Sequence, residues 1–336
     1  MTFNAFRDQK NGLLAGAAIA VILATSPIAA GAQEYNFRLP HVTSATEPVN
    51  DAALRFAELV EERSDGRIAV DVYPGGQLGT NLEMYEQVRL GAPLIILADP
   101  GYLADFVPDF GILNGPYLLD QPGDFQRILE DEWFAGMVDR LRDESEFELL
   151  ALNWFFGDRN VISNQPVETV DDFQGLSIRV PPNIMWIATF EALGARGEQI
   201  AWPEVYGALA SGVVDAAEAP LGSIYGASLH ENGDTISMTG HFYAWIGLMM
   251  NDEIFAEMPE DLQQVLLSSA LDAGDYLTEL VQARQGDFIE TFEEAGITFV
   301  HEVDRDGMRE ATLSVYEEFP EWTPGLLETV RGILDN

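Results

Sequence analysis

The 336-residue chain contains no cysteine, and its only lysine is Lys10. Disulfides, thiolate metal sites, lipid-modified cysteines and cysteine nucleophiles are therefore excluded. The absence of lysine beyond residue 10 removes Schiff-base chemistry from the body of the protein. Positive charge is scarce throughout, with 17 Lys plus Arg against 56 Asp plus Glu. Nucleic acids and anionic membrane surfaces repel such a chain, so neither is expected as a partner. Catalytic signatures are missing as well: there is no GxSxG, HExxH, GxxxxGK[ST] or GxGxxG. The four histidines, His41, His230, His241 and His301, are scattered. Asp304-Arg305-Asp306-Gly307 lacks the third carboxylate and distant glutamate of a calcium loop and reads as a solvated turn. No catalytic residue, metal or cofactor is expected.

Long apolar runs are also absent, except near the start. In MTFNAFRDQKNGLLAGAAIAVILATSPIAAGAQ, Arg7 and Lys10 precede a short apolar stretch that ends in Ala30-Gly31-Ala32. This is the layout of a secretory signal peptide over residues 1–32, cut near Ala32 to leave Gln33 first. A membrane anchor is the competing reading, but the run is short and has no stop-transfer pattern. After cleavage, 55 carboxylates face 15 arginines, a net charge near −40. A soluble, exported, periplasmic protein is expected.

What is present is an α/β rhythm. YNFRLPHV alternates at Phe37 and Leu39 as a strand, and residues 47–64 place Ala52, Phe56, Leu59, Val60 and Arg63 on one helical face. Ser64-Asp65-Gly66 ends that helix, and Ile68, Val70 and Val72 alternate as a second strand before Pro74-Gly75-Gly76. Helices at 82–90 and 124–142 flank a buried strand at 93–98, and Asn153 to Phe156 form a short aromatic strand. The rhythm then repeats, with a strand at 176–180, helices at 184–193 and 203–211, and a strand at 213–217. From Pro259 to Ala295 the pattern is almost unbroken helix. At 1.5 Å per residue it spans on the order of 50 Å, more than one lobe needs. Two α/β lobes joined by several chain crossings are expected, with the long helix bracing both.

Arg179 follows the strand pattern and precedes Pro181-Pro182, at the carboxyl end of a strand. Open α/β sheets bind ligands at that edge. A guanidinium there suits a carboxylate, because its planar fork donates two parallel hydrogen bonds and keeps its charge when dry. The competing reading is an ion pair with one of many nearby acids. Arg159, in FFGDRN, reads by itself as a surface arginine paired with Asp158, and Trp202, before Pro203-Glu204, reads by itself as core.

Taken together, these pieces resemble the extracytoplasmic solute-binding proteins of TRAP transporters, the ATP-independent tripartite carboxylate importers. The ordered pieces are HVTSATEPVNDAALRFAELVEERSDGRIAVDVYPGGQLG, VRLGAPLIILADPG, LNWFFGDRN, PVETVDDFQGLSIRVPPN, ALGARGEQIAWPEVYGALASGVVDAAEAP, TGHF and the long helix. They cover nearly all of the chain after the expected cut.

The resemblance implies a two-lobe periplasmic-binding-protein-like fold, with residues 33–157 plus 245–285 in one lobe and 158–244 plus 286–336 in the other. It implies that Arg179 clamps the ligand carboxylate, that Arg159 is a second cleft arginine, and that Trp202 packs on the ligand. Asp99 matches a position that accepts hydrogen bonds from the ligand's polar end. Phe156 and Asn183, within matching segments, complete the expected ligand-binding set. Glu218 and His241 match polar partners of the clamp and are expected to orient Arg179 and couple binding to closure. One departure stands out: Ala219 occupies the place of an asparagine that many members carry in a DGQENP motif.

The implied partners are a small carboxylate and the membrane permease subunits of a TRAP transporter, with the binding protein a monomer. Trp186 and the aromatic run Trp154, Phe155 and Phe156 could stack on a ring, and Asp99 suits hydroxyls. A hydroxylated acid such as a sugar acid is favoured, ahead of a dicarboxylate or aromatic acid. An exported enzyme acting on acidic sugars or esters, and the binding protein of an ATP-driven importer, are the alternatives.

Overall fold

The structure, a computed structural model, describes residues 33–335. The expected signal peptide and its cut lie outside the described residues. The described chain opens with β1 (Tyr35–Pro40), α1 (Pro48–Arg63) and β2 (Ile68–Tyr73), and its two strands pair in parallel from Tyr35↔Ile68 to Pro40↔Tyr73. Pro48 supplies a preset φ for the first turn of α1, with Asp51 near its N-terminus and Arg63 in its last turn complementing the helix dipole. One face of the helix buries Val49, Ala52, Phe56, Leu59 and Val60. Arg63, which spacing puts with that face, is exposed and pairs with Asp272.

Next come α2 (Asn81–Arg89), β3 (Ile95–Ala98), α3 (Pro100–Leu103), α4 (Phe125–Leu129) and α5 (Glu132–Glu144). The helix expected over 124–142 is thus divided, because the Asp131 side chain accepts from Trp133 N at 2.8 Å and starts α5 afresh. The aromatic run at 153–156 is only the middle of β4 (Phe147–Ser163), a 17-residue strand. Then follow β5 (Ser177–Val180), α6 (Ile184–Ala192), β6 (Arg196–Gln199), α7 (Val205–Ala210), β7 (Ala216–Ala219) and α8 (Leu221–Gly226). The strand expected at 213–217 therefore sits later, and Glu218 lies inside it. A second 17-residue strand, β8 (Thr235–Asn251), is one that the sequence pattern does not announce. The remaining helices and strand are α9 (Asp252–Glu257), α10 (Glu260–Glu294), β9 (Thr298–Val300), α11 (Arg305–Ala311) and α12 (Leu326–Leu334).

The larger sheet has strand order β3-β8-β4-β7-β5-β6, with β9 on β8. β4 and β8 run antiparallel from Phe147↔Asn251 to Ser163↔Thr235, with register shifts along the way. One end of this pair lies beside β3 and the other beside β7 and β9. Two strands therefore carry the chain across the molecule. α10 does the same: its 35 residues span about 52 Å. Its first half packs Leu262, Leu266, Ala270 and Leu277 with Phe56 and Trp154, whereas Phe292 near its end packs with Ile224 and Leu229. Trp154 Nε1 donates to Ala270 O and Asn153 Nδ2 donates to Leu271 O, each at 2.9 Å, which ties β4 to the helix. The architecture is the expected mixed α/β, two-lobe fold, with β4, β8 and α10 making the crossings.

Candidate functional site

A cleft of about 800 Å³, counting the open space at its mouth, lies between the turn after β3 and the ends of β5 and β7. Asp99, Phe156, Arg159, Arg179, Asn183 and Trp202 all line it. Six residues singled out from sequence for ligand binding thus meet at one place. Trp186 joins them, but Trp154 and Phe155 do not: Trp154 is held by Ala270 O, and Phe155 packs against Trp245. Of the aromatic run, only Phe156 remains for a ligand.

Arg179 stands on β5 with 3% of its surface exposed. Its Nε donates to Ile200 O at 2.9 Å, and its guanidinium carbon lies 5.2 Å from the Trp202 ring centroid. No described carboxylate pairs with it, and its Nη atoms hydrogen-bond to no described residue. The ion pair that sequence alone left open is therefore not made. Burial is the main cause that lowers the Arg179 pKa to about 10, with the nearby Arg159 charge adding to it and Glu218 opposing it. At neutral pH this remains a buried cation without a contact anion, an arrangement that is costly unless something completes it.

Arg159 differs, and differs from its surface reading. It is buried, and Nε and Nη2 donate to Glu218 Oε2 and Oε1 at 2.5 and 2.6 Å, with Nη2 also donating to Glu218 O at 3.1 Å. The pairing follows from strand register: Glu218 on β7 lies opposite Val161 of β4, two residues beyond Arg159. The Trp186 ring centroid sits 5.3 Å from the Arg159 guanidinium carbon. Nη1 makes no hydrogen bond to a described residue.

Glu218 has no exposed surface, so it does not face solvent. Burial alone would raise its pKa, but the Arg159 charge and the hydrogen bonds from Arg159 and His241 outweigh it and hold the carboxylate at about 2. His241 Nε2 lies 3.1 Å from Glu218 Oε2, and its Nδ1 lies 2.8 Å from Thr239 Oγ1. Burial lowers the His241 pKa more than Glu218 raises it. An ionised carboxylate only accepts, so a neutral His241 donates from Nε2 and accepts the Thr239 hydroxyl at Nδ1. The expected orienting pair is thus present, but the guanidinium it holds is Arg159, not Arg179. Glu218 reaches Arg179 only through its field.

Asp99 caps α3, its Oδ1 accepting from Gly101 N at 2.8 Å and from Asn114 Nδ2 at 2.9 Å. Oδ2 has no hydrogen-bond partner among the described residues. Burial raises its pKa, and those two hydrogen bonds oppose the rise. Asn183 caps α6 through Oδ1, which accepts from Met185 N at 2.9 Å. Its amide nitrogen presses on Gly101, where a Cβ would stand 1.4 Å away, so the two cleft walls touch backbone to side chain. Ala219 lines the cleft beside Glu218, and its methyl group offers the cavity no polar atom. Tyr102 and Ser223 also line the cleft, and no spacing or charge pattern in the sequence marks either.

A cleft between two walls, with one unpaired buried guanidinium and one held in place, fits a binder of small anions. The comparisons give it a family. Residues 39–321 match the model of bacterial extracellular solute-binding protein family 7, and the chain belongs to that family. It is a TRAP extracytoplasmic solute-binding protein, a class made of solute binders. An uncharacterised protein of Sinorhizobium fredii is 31% identical over 303 residues, which are 90% of this chain and only 55% of that longer one. The 2,3-diketo-L-gulonate-binding periplasmic protein of Escherichia coli is 29% identical over 277 residues, 82% of this chain and 84% of its own. A crystal structure of a TRAP periplasmic solute-binding protein from Ochrobacterium anthropi with bound L-fuconate superposes with a TM-score of 0.86 at 32% identity. That match covers 89% of this chain and 99% of the other. Among the described residues no helix is long and apolar enough to cross a membrane.

Proposed function

We propose that the cleft captures a hydroxylated monocarboxylate, a sugar acid of the aldonate class, and presents it in the periplasm to the membrane subunits of a TRAP transporter. The observation that carries this reading is Arg179, buried and without an anionic partner. Of the two cleft guanidiniums, Arg159 is already neutralised by Glu218. One positive charge is left, which suits one carboxylate received between the Arg179 Nη atoms and Arg159 Nη1. A second carboxylate would meet Asp99, whose Oδ2 instead suits ligand hydroxyls. Trp202 and Phe156 offer apolar faces to the carbon chain. The L-fuconate bound by the Ochrobacterium relative and the sugar-derived acid named for the Escherichia coli relative have this chemistry.

Capture works by closure, because only the closed form brings both walls onto the ligand. One lobe comprises residues 33–157 with 245–285, and the other 158–244 with the chain from 286 onward. A hinge at Gly157 and Ala244 fits the register shift there and the φ of 127° at Gly157. α12 is an exception to this division, since it packs on α4 of the first lobe. The protein acts as a monomer and performs no chemistry on its ligand.

A thermal-shift screen of L-fuconate, other aldonates, succinate and an aromatic acid tests the reading. A ligand at 100 times its dissociation constant adds about 2.7 kcal/mol to stability. An aldonate should give the largest shift and be recovered unchanged. A shift from succinate alone would replace the monocarboxylate reading, and turnover of any acid would favour an exported enzyme.

A further inference from the structure

Glu47 is 1% exposed at the start of α1, yet it takes no part in the arginine cluster. Its Oε1 accepts from Ser44 N at 2.7 Å, and its Oε2 accepts from Ser223 Oγ at 2.6 Å. Ser44 lies just ahead of α1, whereas Ser223 belongs to α8, beyond the proposed hinge. The close approach is built into the backbone. A Cβ on Gly226 would stand 2.5 Å from Glu47 Cγ, and one on Gly222 would stand 3.2 Å from Pro48 Cδ. α8 therefore turns Gly222, Ser223 and Gly226 toward the first turn of α1. Ser223 lines both the ligand cleft and a smaller cavity behind it, where Glu47 sits.

No described arginine or histidine forms an ion pair with Glu47, although the chain forms many such pairs elsewhere. On α1 the nearest charge is Asp51, which is matched by Arg284 of α10 at 2.9 Å. β4 contributes Asp158, whose pKa burial also raises. α10 lines this cavity with Val281, Gln282, Gln285 and Phe288, none of them charged, and α8 carries no charged side chain. In this setting burial pushes the Glu47 carboxyl up to about 7, against the opposing hydrogen bonds from Ser223 and Ser44.

We propose that Glu47 is a proton-operated latch between the lobes: below neutral pH closure seats its carboxyl in the protonated form against Ser223, so that ligand capture there takes up about one proton. The latch rests on the lobe closure proposed above. The proton comes from solvent and binds Glu47 Oε2, whose O–H then donates to Ser223 Oγ across the same contact. No other bond is made or broken. In the open form the carboxyl meets water and titrates in the ordinary carboxylic range. Raising the closed-state pKa stabilises closure at low pH, and that help is lost as pH rises through about 7. Between pH 8 and pH 5.5 the linked gain in closure is roughly thirtyfold.

The chain has no cysteine, so labels on Leu54→Cys and Val213→Cys, at positions 46% and 60% exposed, would report lobe separation alone. Pulsed electron resonance on ligand-free protein should show the short-distance population growing from pH 8 to pH 5.5. With Glu47→Gln added, a neutral side chain replaces the acid, and that population should be pH-independent. Ser223→Ala should lower it at pH 5.5. Equal pH responses with and without Glu47→Gln, or no response in the parent, would overturn the latch. Calorimetry with L-fuconate should in parallel give at least tenfold tighter binding at pH 5.5 than at pH 8, with one proton taken up between buffers of different ionisation heat. A protein that binds no L-fuconate counts against the ligand reading, and the label distances still decide the latch.

Discussion

Glu218→Gln should lower the stability of the ligand-free protein, whereas Arg179→Met should leave it level or raise it. Glu218 accepts two short hydrogen bonds from Arg159 and one from His241, and both Glu218 and Arg159 are buried. Removing its charge leaves the Arg159 guanidinium buried and unbalanced, and breaking a buried pair this way costs about 3–5 kcal/mol. For a chain of this size that is a fall in Tm on the order of 10 °C. Arg179 has no such partner to strand. Replacing it with methionine removes a buried, uncompensated charge and leaves only Ile200 O without its donor. Its melting point should stay level or rise. The pH dependence adds a second check. Because the folded Glu218 pKa is depressed to about 2, its contribution is full above its ordinary value of 4.5 and is lost as pH falls toward 2. The stability gap between parent and Glu218→Gln should therefore narrow over that window. Differential scanning calorimetry at neutral and acid pH measures both effects. If Arg179→Met lowers Tm as much as Glu218→Gln does, Arg179 is a structural residue and the argument for an anion-ready cleft fails.

Two further variants probe the opposite wall. Asp99→Asn should weaken L-fuconate binding about tenfold or more, because hydrogen bonds to charged groups are worth about 1.5–3 kcal/mol. An unhydroxylated monocarboxylate should not weaken, and calorimetry with both acids makes the comparison. Gly101→Ala should hinder closure, since its Cβ would meet Asn183 Nδ2 at 1.4 Å. Overpacking of this kind costs about 1–3 kcal/mol, which predicts about fivefold to hundredfold weaker binding and a larger radius in small-angle scattering with ligand present.

Local sequence rules served well where one rule decided the outcome. α1 and α10 lie within a residue or two of their expected bounds, because each has an apolar stripe and a clear stop. They failed for β4 and β8. Both strands are buried on nearly every residue, so the period-two alternation that marks a half-solvated strand is absent, and bulges break their register. Arg179 was legible from its place at the end of a strand pattern, whereas the other cleft residues were legible through their resemblance to a family pattern rather than through spacing. The partners were not: the Arg159–Glu218 pair depends on β4 and β7 lying side by side, and that adjacency emerges only when the sheet is assembled. Glu47 and Ser223 are 176 positions apart, and nothing local announces their contact.

The central claim is that Arg179 supplies the charge that a ligand carboxylate completes. Isothermal titration of L-fuconate into the parent and Arg179→Met tests it most directly. Truncating one member of a buried, hydrogen-bonded charge pair costs about 2–5 kcal/mol, so the variant should bind at least about thirtyfold more weakly. Binding by Arg179→Met within threefold of the parent would contradict the account.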